Sequence, residues 1–180
     1  EIACLILEPF GVAEPDIDFL KKIREFCSSK GIVLIFDEVI SGFRYHLKGA
    51  QFLANVIPDL ATFGKAMANG FPISALCGKE EIMHLGGINH DDERVFLLST
   101  TYGSERSGLA AALWTISKLE TDPTFSENYE VGKIVKDYFN EIAKSLGIDR
   151  LIEIIGSEIN PLFSYKEFNG ISPYVCLLYT

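Results

Sequence analysis

Apolar and polar positions along the chain alternate between strand-like runs and helix-like spacings. Ile2–Leu7 is a continuous, partly β-branched apolar run stopped by Glu8-Pro9, which predicts a buried strand. After Pro15, Asp16 can cap a helix, and Phe19, Leu20, Ile23, Phe26 and Cys27 recur at helical spacing until Gly31 ends the pattern. Ile32–Phe36 is an apolar run that ends abruptly in Asp37-Glu38. It predicts a fully buried strand of a parallel sheet covered on both faces, with charge at its C-terminal end. Pro58-Asp59 precedes a short strand over Leu60–Phe63, which Gly64-Lys65 closes; Ile73–Cys77 reads as a further strand and Lys79–Leu85 as a short helix.

From Ser107 to Leu119 the spacing of Leu109, Leu113, Ile116 and Leu119 predicts a helix, and a second covers Phe125 to Leu146 before Gly147. The Phe- and Ile-rich stripes of these helices read as core. Leu151–Ile155 and Leu162–Tyr165, separated by Gly156 and Asn160-Pro161, read as strands of a smaller α+β unit. The boundary falls near Glu120–Pro123, with the later part of an α/β domain over residues 1–121 and an incomplete second domain over 122–180. Both ends of the sequence lie in strand-like apolar runs, Ile2 onward and Tyr174 to Thr180, where polar, frayed ends are usual. The expectation is a fragment of a longer subunit.

Composition narrows the classes. Of 180 residues 48% are hydrophobic and 23% charged, which suits a globular core and not a disordered chain. A net charge of −9 without any run of Lys and Arg argues against a nucleic-acid surface. The apolar runs are far shorter than the ~20 residues of a membrane span, and no basic segment leads into a cleavable apolar one. A soluble cytoplasmic protein is expected. Cys4, Cys27, Cys77 and Cys176 form no paired spacing and read as reduced, mostly buried thiols. His46, His84 and His90 lack ligand spacing, so no metal is expected.

Two charged residues in apolar surroundings carry candidate chemistry. Asp37 ends one buried strand and Lys65 follows another, separated by about the ~30 residues of a strand–helix–strand unit. Both side chains then emerge at the C-terminal edge of neighbouring parallel strands, where open α/β sheets bind ligands. A carboxylate beside an amine suits pyridoxal phosphate, which needs a lysine for its Schiff base and an acid to keep its ring nitrogen protonated.

The stretches Ile35-Phe-Asp-Glu-Val-Ile-Ser-Gly-Phe-Arg44 and Pro58-Asp-Leu-Ala-Thr-Phe-Gly-Lys-Ala-Met-Ala-Asn-Gly-Phe-Pro72 resemble the two signatures of class III pyridoxal-phosphate aminotransferases. Within that family they are most similar to the glutamate-1-semialdehyde aminomutase branch. The resemblance runs from Ile2 to about Leu119. It implies part of a fold-type-I large domain, a mostly parallel sheet with helices on both faces, plus the start of a small α+β C-terminal domain. It implies that Asp37 pairs with the pyridinium nitrogen, that Val39 packs on one ring face and that Lys65 binds the cofactor and shuttles a proton at substrate Cα. Thr101, in Ser99-Thr-Thr-Tyr-Gly-Ser104, matches the threonine that reaches the cofactor phosphate of the neighbouring subunit, so a homodimer with a shared site is implied. Donors ahead of the helix beginning near Ser107 suit an anion on physical grounds alone. The family also places an acid equivalent to Glu8 near the substrate. The chain departs from many members at Ile40, where they carry Gln, and at Ser104-Glu105-Arg106, where they read Gly-Asn-Pro. The loop that supplies most phosphate contacts and the aromatic that stacks on the ring lie upstream of the signatures and have no counterpart here.

The function expected is amino-group transfer between small molecules, by an aminotransferase or an aminomutase. An alternative is a nucleotide hydrolase with Asp37-Glu38 as a Walker B pair, although no G-x-x-x-x-G-K-[ST] loop occurs, since Ala66 follows Gly64-Lys65. A catalytically incomplete fragment is the other alternative, and the isolated segment is expected to be inactive. Among plainer readings, Glu8-Pro9 is a strand terminator, Lys65 a surface lysine in a turn and Thr101 a hydroxyl approaching a helix.

Overall fold

The computed structural model of the chain describes residues 2–11, 16–87, 103, 105–149, 152–155, 162–165 and 174–175. It divides into two units, Glu1–Phe10 with Asp16–Asp122, and Gly11–Pro15 with Pro123–Thr180.

The first unit is built on a four-stranded sheet in the order β1 (Cys4–Leu7), β2 (Val33–Asp37), β3 (Leu60–Phe63) and β4 (Ala75–Gly78). The first three strands are parallel and β4 runs antiparallel to β3. Helix α1 (Ile17–Lys30) connects β1 to β2. It begins where the Asp16 side chain accepts the Phe19 amide at 2.9 Å and ends at Gly31, whose φ of 66° is left-handed and suits glycine. Leu34 and Phe36 of β2 are completely buried, while Val33, Ile35 and Asp37, which alternate with them, are only half-buried. The apolar run thus hides an alternation, and the expectation of complete burial on both faces does not hold for this strand.

A short helix that the sequence pattern did not reveal, α2 (Ala50–Ala54), lies between β2 and β3 and buries Ala50 and Ala54. The tight pairing of β4 with β3 depends on Gly78, since a Cβ there would lie 2.4 Å from the Asp59 carbonyl oxygen. Helix α3 (Glu80–Met83) is a single turn after β4, and α4 (Arg106–Thr121) closes the unit.

Met67, Ala68 and Ala112 form a buried cluster against which Phe43, Phe63, Ile73 and Ile116 pack, so α4 is fastened to the turn that follows β3. The helical stripes are not wholly core: Leu113 and Trp114 of α4 are 72% and 65% exposed, and Phe19 and Phe26 of α1 are about half exposed. Nor are the thiols mostly buried. Cys27 is buried, but Cys4 and Cys77, on the two edge strands, are exposed; Cys176 lies outside the described residues.

The second unit contains α5 (Thr124–Ser145) and a three-stranded antiparallel sheet, β5 (Ile152–Ile155), β6 (Leu162–Tyr165) and β7 (Tyr174–Val175). The Asn140 side chain ties α5 to β5, accepting the Ile154 amide at 2.8 Å and donating to the Ile154 carbonyl at 3.1 Å. Among the described residues no helix is long and apolar enough to cross a membrane.

Candidate active site

Parallel register sets the candidate site. Leu7 pairs with Phe36 and Asp37 pairs with Thr62, so Glu8, Asp37 and the Gly64-Lys65 turn all leave the sheet at its C-terminal edge. This is the edge at which open α/β sheets hold ligands.

Asp37 is the last residue of β2 and half-buried. Its Oδ1 accepts two hydrogen bonds, from the Val39 amide at 3.1 Å and from the Thr62 hydroxyl at 3.1 Å. Among the described residues nothing donates to Oδ2. The neighbouring Glu38 has a different environment. It is completely buried, and its carboxylate accepts the amides of Ala50 and Gln51 and the Ser41 hydroxyl. A carboxylate enclosed in this way is stable because each lost water contact is replaced by a donor and because it sits at a helix N-terminus. Gly49 makes room: its φ is 77°, and a Cβ there would come within 2.6 Å of Glu38 Oε1. Glu38 therefore has no open oxygen with which to activate water, and the geometry does not suit a Walker B pair.

Lys65 follows β3 after Gly64 and opens a short 3-10 turn, Lys65–Met67. It is exposed, and among the described residues its amine has no ion-pair partner. Its backbone adopts φ 41°, a left-handed conformation that costs a non-glycine residue about 1–2 kcal/mol. The turn is held by the bonds from the Met67 amide to the Gly64 carbonyl at 2.9 Å and from the Asn69 amide to the Lys65 carbonyl at 3.0 Å. Burial of Met67 and Ala68 against α4 fixes it further. Val39 lies beside this turn, since a Cβ on Gly64 would rest 3.6 Å from Val39 Cγ1. Asp37, Val39 and the start of the Lys65 turn are thus neighbours across β2 and β3. Thr101 lies outside the described residues. Glu105 is half-buried just before α4, and Arg106, its first residue, is exposed.

One charged cluster went unnoticed in the sequence pattern. Asp59, 5% exposed, accepts the Leu34 amide at 2.7 Å and forms ion pairs with Arg24 at 2.9 Å and Lys79 at 2.8 Å. Burial works to raise its pKa, but the Lys79, Leu34 and Arg24 bonds together hold it below the ordinary value of 3.8. Asp59 leads into β3 at the end opposite Lys65, so it braces the strand and takes no part in the site.

The residues at the strand tips fit pyridoxal phosphate by their chemistry: among the described residues one carboxylate oxygen receives no donor and one amine has no ion-pair partner. The fold is that of known transaminases. An omega-transaminase from Sphaerobacter thermophilus superposes with a TM-score of 0.77 at 28% identity, over 90% of this chain and 36% of that one. A structure described as a transaminase with PLP bound gives 0.77 at 25% identity, over 91% and 38%. Among curated relatives, the glutamate-1-semialdehyde 2,1-aminomutases of Thermosipho africanus and Clostridium botulinum are 41% and 35% identical. These matches cover 94% and 93% of this chain but 40% and 39% of the relatives, so the chain spans about two fifths of their length. The profile of aminotransferase class III matches residues 1–156, and the chain belongs to this family.

Proposed function

We propose that the full-length protein uses pyridoxal phosphate to move an amino group on a small molecule. One observation carries this reading: Asp37 and Lys65 leave the tips of two adjacent parallel strands, and among the described residues nothing donates to Asp37 Oδ2 and Lys65 Nζ has no ion-pair partner. Bound pyridoxal phosphate supplies an electron sink for the charge that develops at the substrate carbon bearing the amine. Lys65 would hold it through Nζ. Once free, the same Nζ would take the proton from substrate Cα and hand it on as general acid. Asp37 would keep a proton on the ring nitrogen through Oδ2, and Val39 would pack against one ring face.

Thr101 binds the phosphate held by a neighbouring subunit, which makes a homodimer part of the site. The residues over 1–121 form part of the cofactor domain, and those over 122–180 belong to a small C-terminal domain. Identity of 35–41% to glutamate-1-semialdehyde 2,1-aminomutases supports return of the amine to the same carbon skeleton. Transfer to a separate acceptor is the second reading, supported by the similarity to an omega-transaminase. The 180-residue chain alone is inactive in this proposal, because apolar faces such as Leu113 and Trp114 lack the cover that a preorganised site needs. The free thiols of Cys4 and Cys77 support a reducing, cytoplasmic location.

Borohydride reduction of the cofactor-loaded, full-length protein followed by peptide mapping tests the reading. The label is expected on Lys65 and absent from Lys65→Ala; a reducible adduct that survives in Lys65→Ala overturns it. Turnover of glutamate-1-semialdehyde without a 2-oxo acid identifies the aminomutase, and an absolute requirement for such an acceptor identifies the aminotransferase.

A further inference from the structure

We infer that Thr62 is a positioning residue that orients the Asp37 carboxylate toward the cofactor ring, an inference that rests on the reading of Asp37 given above. Of the register pairs between β2 and β3, Ile35–Leu60 and Phe36–Ala61 are apolar, and Asp37–Thr62 is the polar one. The Thr62 hydroxyl lies 3.1 Å from Asp37 Oδ1, and among the described residues it has no other acceptor. The same oxygen receives the Val39 amide at 3.1 Å.

A carboxylate on its own rotates easily about χ2, so one bond leaves its plane loosely set. Here two donors converge on one oxygen from different elements. One is backbone in the turn after β2; the other is a β-branched side chain, stiff at χ1, on the neighbouring strand. Together they occupy Oδ1 and leave Oδ2 as the oxygen offered to a ring nitrogen. The strand that carries this hydroxyl also carries Lys65 just beyond its end. A single strand thus places the amine and sets the orientation of its acidic partner. If Thr62 served only as a strand residue, valine would replace it without loss, since the two share shape and β-propensity.

The test uses full-length apoprotein titrated with pyridoxal phosphate, reading the dissociation constant and the visible circular dichroism of the bound cofactor. Thr62→Val is expected to raise the dissociation constant about tenfold, the loss of one hydrogen bond to a charged group, and to change the dichroic band. Thr62→Ser, which keeps the hydroxyl, is expected to stay near the parent, and Thr62→Val placed on Asp37→Ala is expected to add nothing. Thr62→Ala gives the same readout should the valine protein not fold. Asp37→Ala with a large effect and Thr62→Val with none overturns this inference alone. Asp37→Ala without effect overturns the reading of Asp37 and the inference with it.

Discussion

Glu38 accepts the Gln51 amide at 3.1 Å across the bend between β2 and α2, so the residue after Asp37 is fixed from below by a helix it caps. The Ala50 amide and the Ser41 hydroxyl complete its shell. Glu38→Gln turns an amide group toward backbone donors and removes the charge. It is expected to destabilise the apoprotein by about 2–3 kcal/mol, the worth of hydrogen bonds to a buried charged group. Gly49→Ala is expected to be at least as harmful, since its Cβ meets the same carboxylate at a left-handed φ. Thermal unfolding checks both, and parent-like melting of Glu38→Gln would count against the buried cap.

Asp59 makes stability depend on acid. Its folded pKa lies below the unfolded value near 3.8, so its contribution is fully present above that value and is lost as pH falls through the lower, folded pKa. The parent is expected to lose stability as the pH drops from about 5 toward 3. Asp59→Asn is expected to cost about 2 kcal/mol at neutral pH, because it abolishes the attraction to Arg24 and Lys79, and to flatten the acid limb. Urea unfolding across that range decides it; superimposable curves for the two proteins would contradict the assignment.

At Lys65 the backbone and the chemistry pull in opposite directions. A φ of 41° is costly for lysine and for alanine alike, and nearly without cost for glycine. Lys65→Gly apoprotein is therefore expected to be about 1 kcal/mol more stable than Lys65→Ala, although both lose cofactor attachment. Equal melting temperatures would mean that the turn imposes no strain.

Local pattern made much of the sheet legible. The apolar run ending at Asp37-Glu38, the short run Leu60–Phe63 and the capped helix after Asp16 correspond to β2, β3 and α1. Each is specified by near neighbours: a switch from apolar to charged residues, a glycine, a cap. What the pattern left hidden depends on distant partners. The close pairing of antiparallel β4 with β3 needs the missing Cβ of Gly78 beside the Asp59 carbonyl, which lies 19 residues away in sequence. Helix α2 exists because a carboxylate twelve residues upstream caps it, and nothing in Ala50–Ala54 itself announces a helix. The division of labour between Asp37 and Glu38 is invisible in the dipeptide and follows from which donors surround each. The half-exposed phenylalanines of α1 show the limit of helical spacing, which identifies an apolar face without saying how much of it this chain covers.

Asp37→Asn separates holding the cofactor from activating it. Asparagine has the same shape, and its amide oxygen can still accept from Val39 and Thr62, so the local geometry at the end of β2 survives. What disappears is the negative charge proposed to keep a proton on the ring nitrogen. Lys65, in the turn beyond the next strand, is untouched, and the visible band of the bound cofactor is expected to persist. Turnover is expected to fall by about 10²–10³ or more, the scale on which removal of a preorganised electrostatic partner acts on a transition state. Single-turnover kinetics in full-length protein, normalised to bound cofactor, isolate the effect from any loss of affinity. A near-normal rate with full occupancy would mean that the carboxylate at the tip of β2 does not govern the ring.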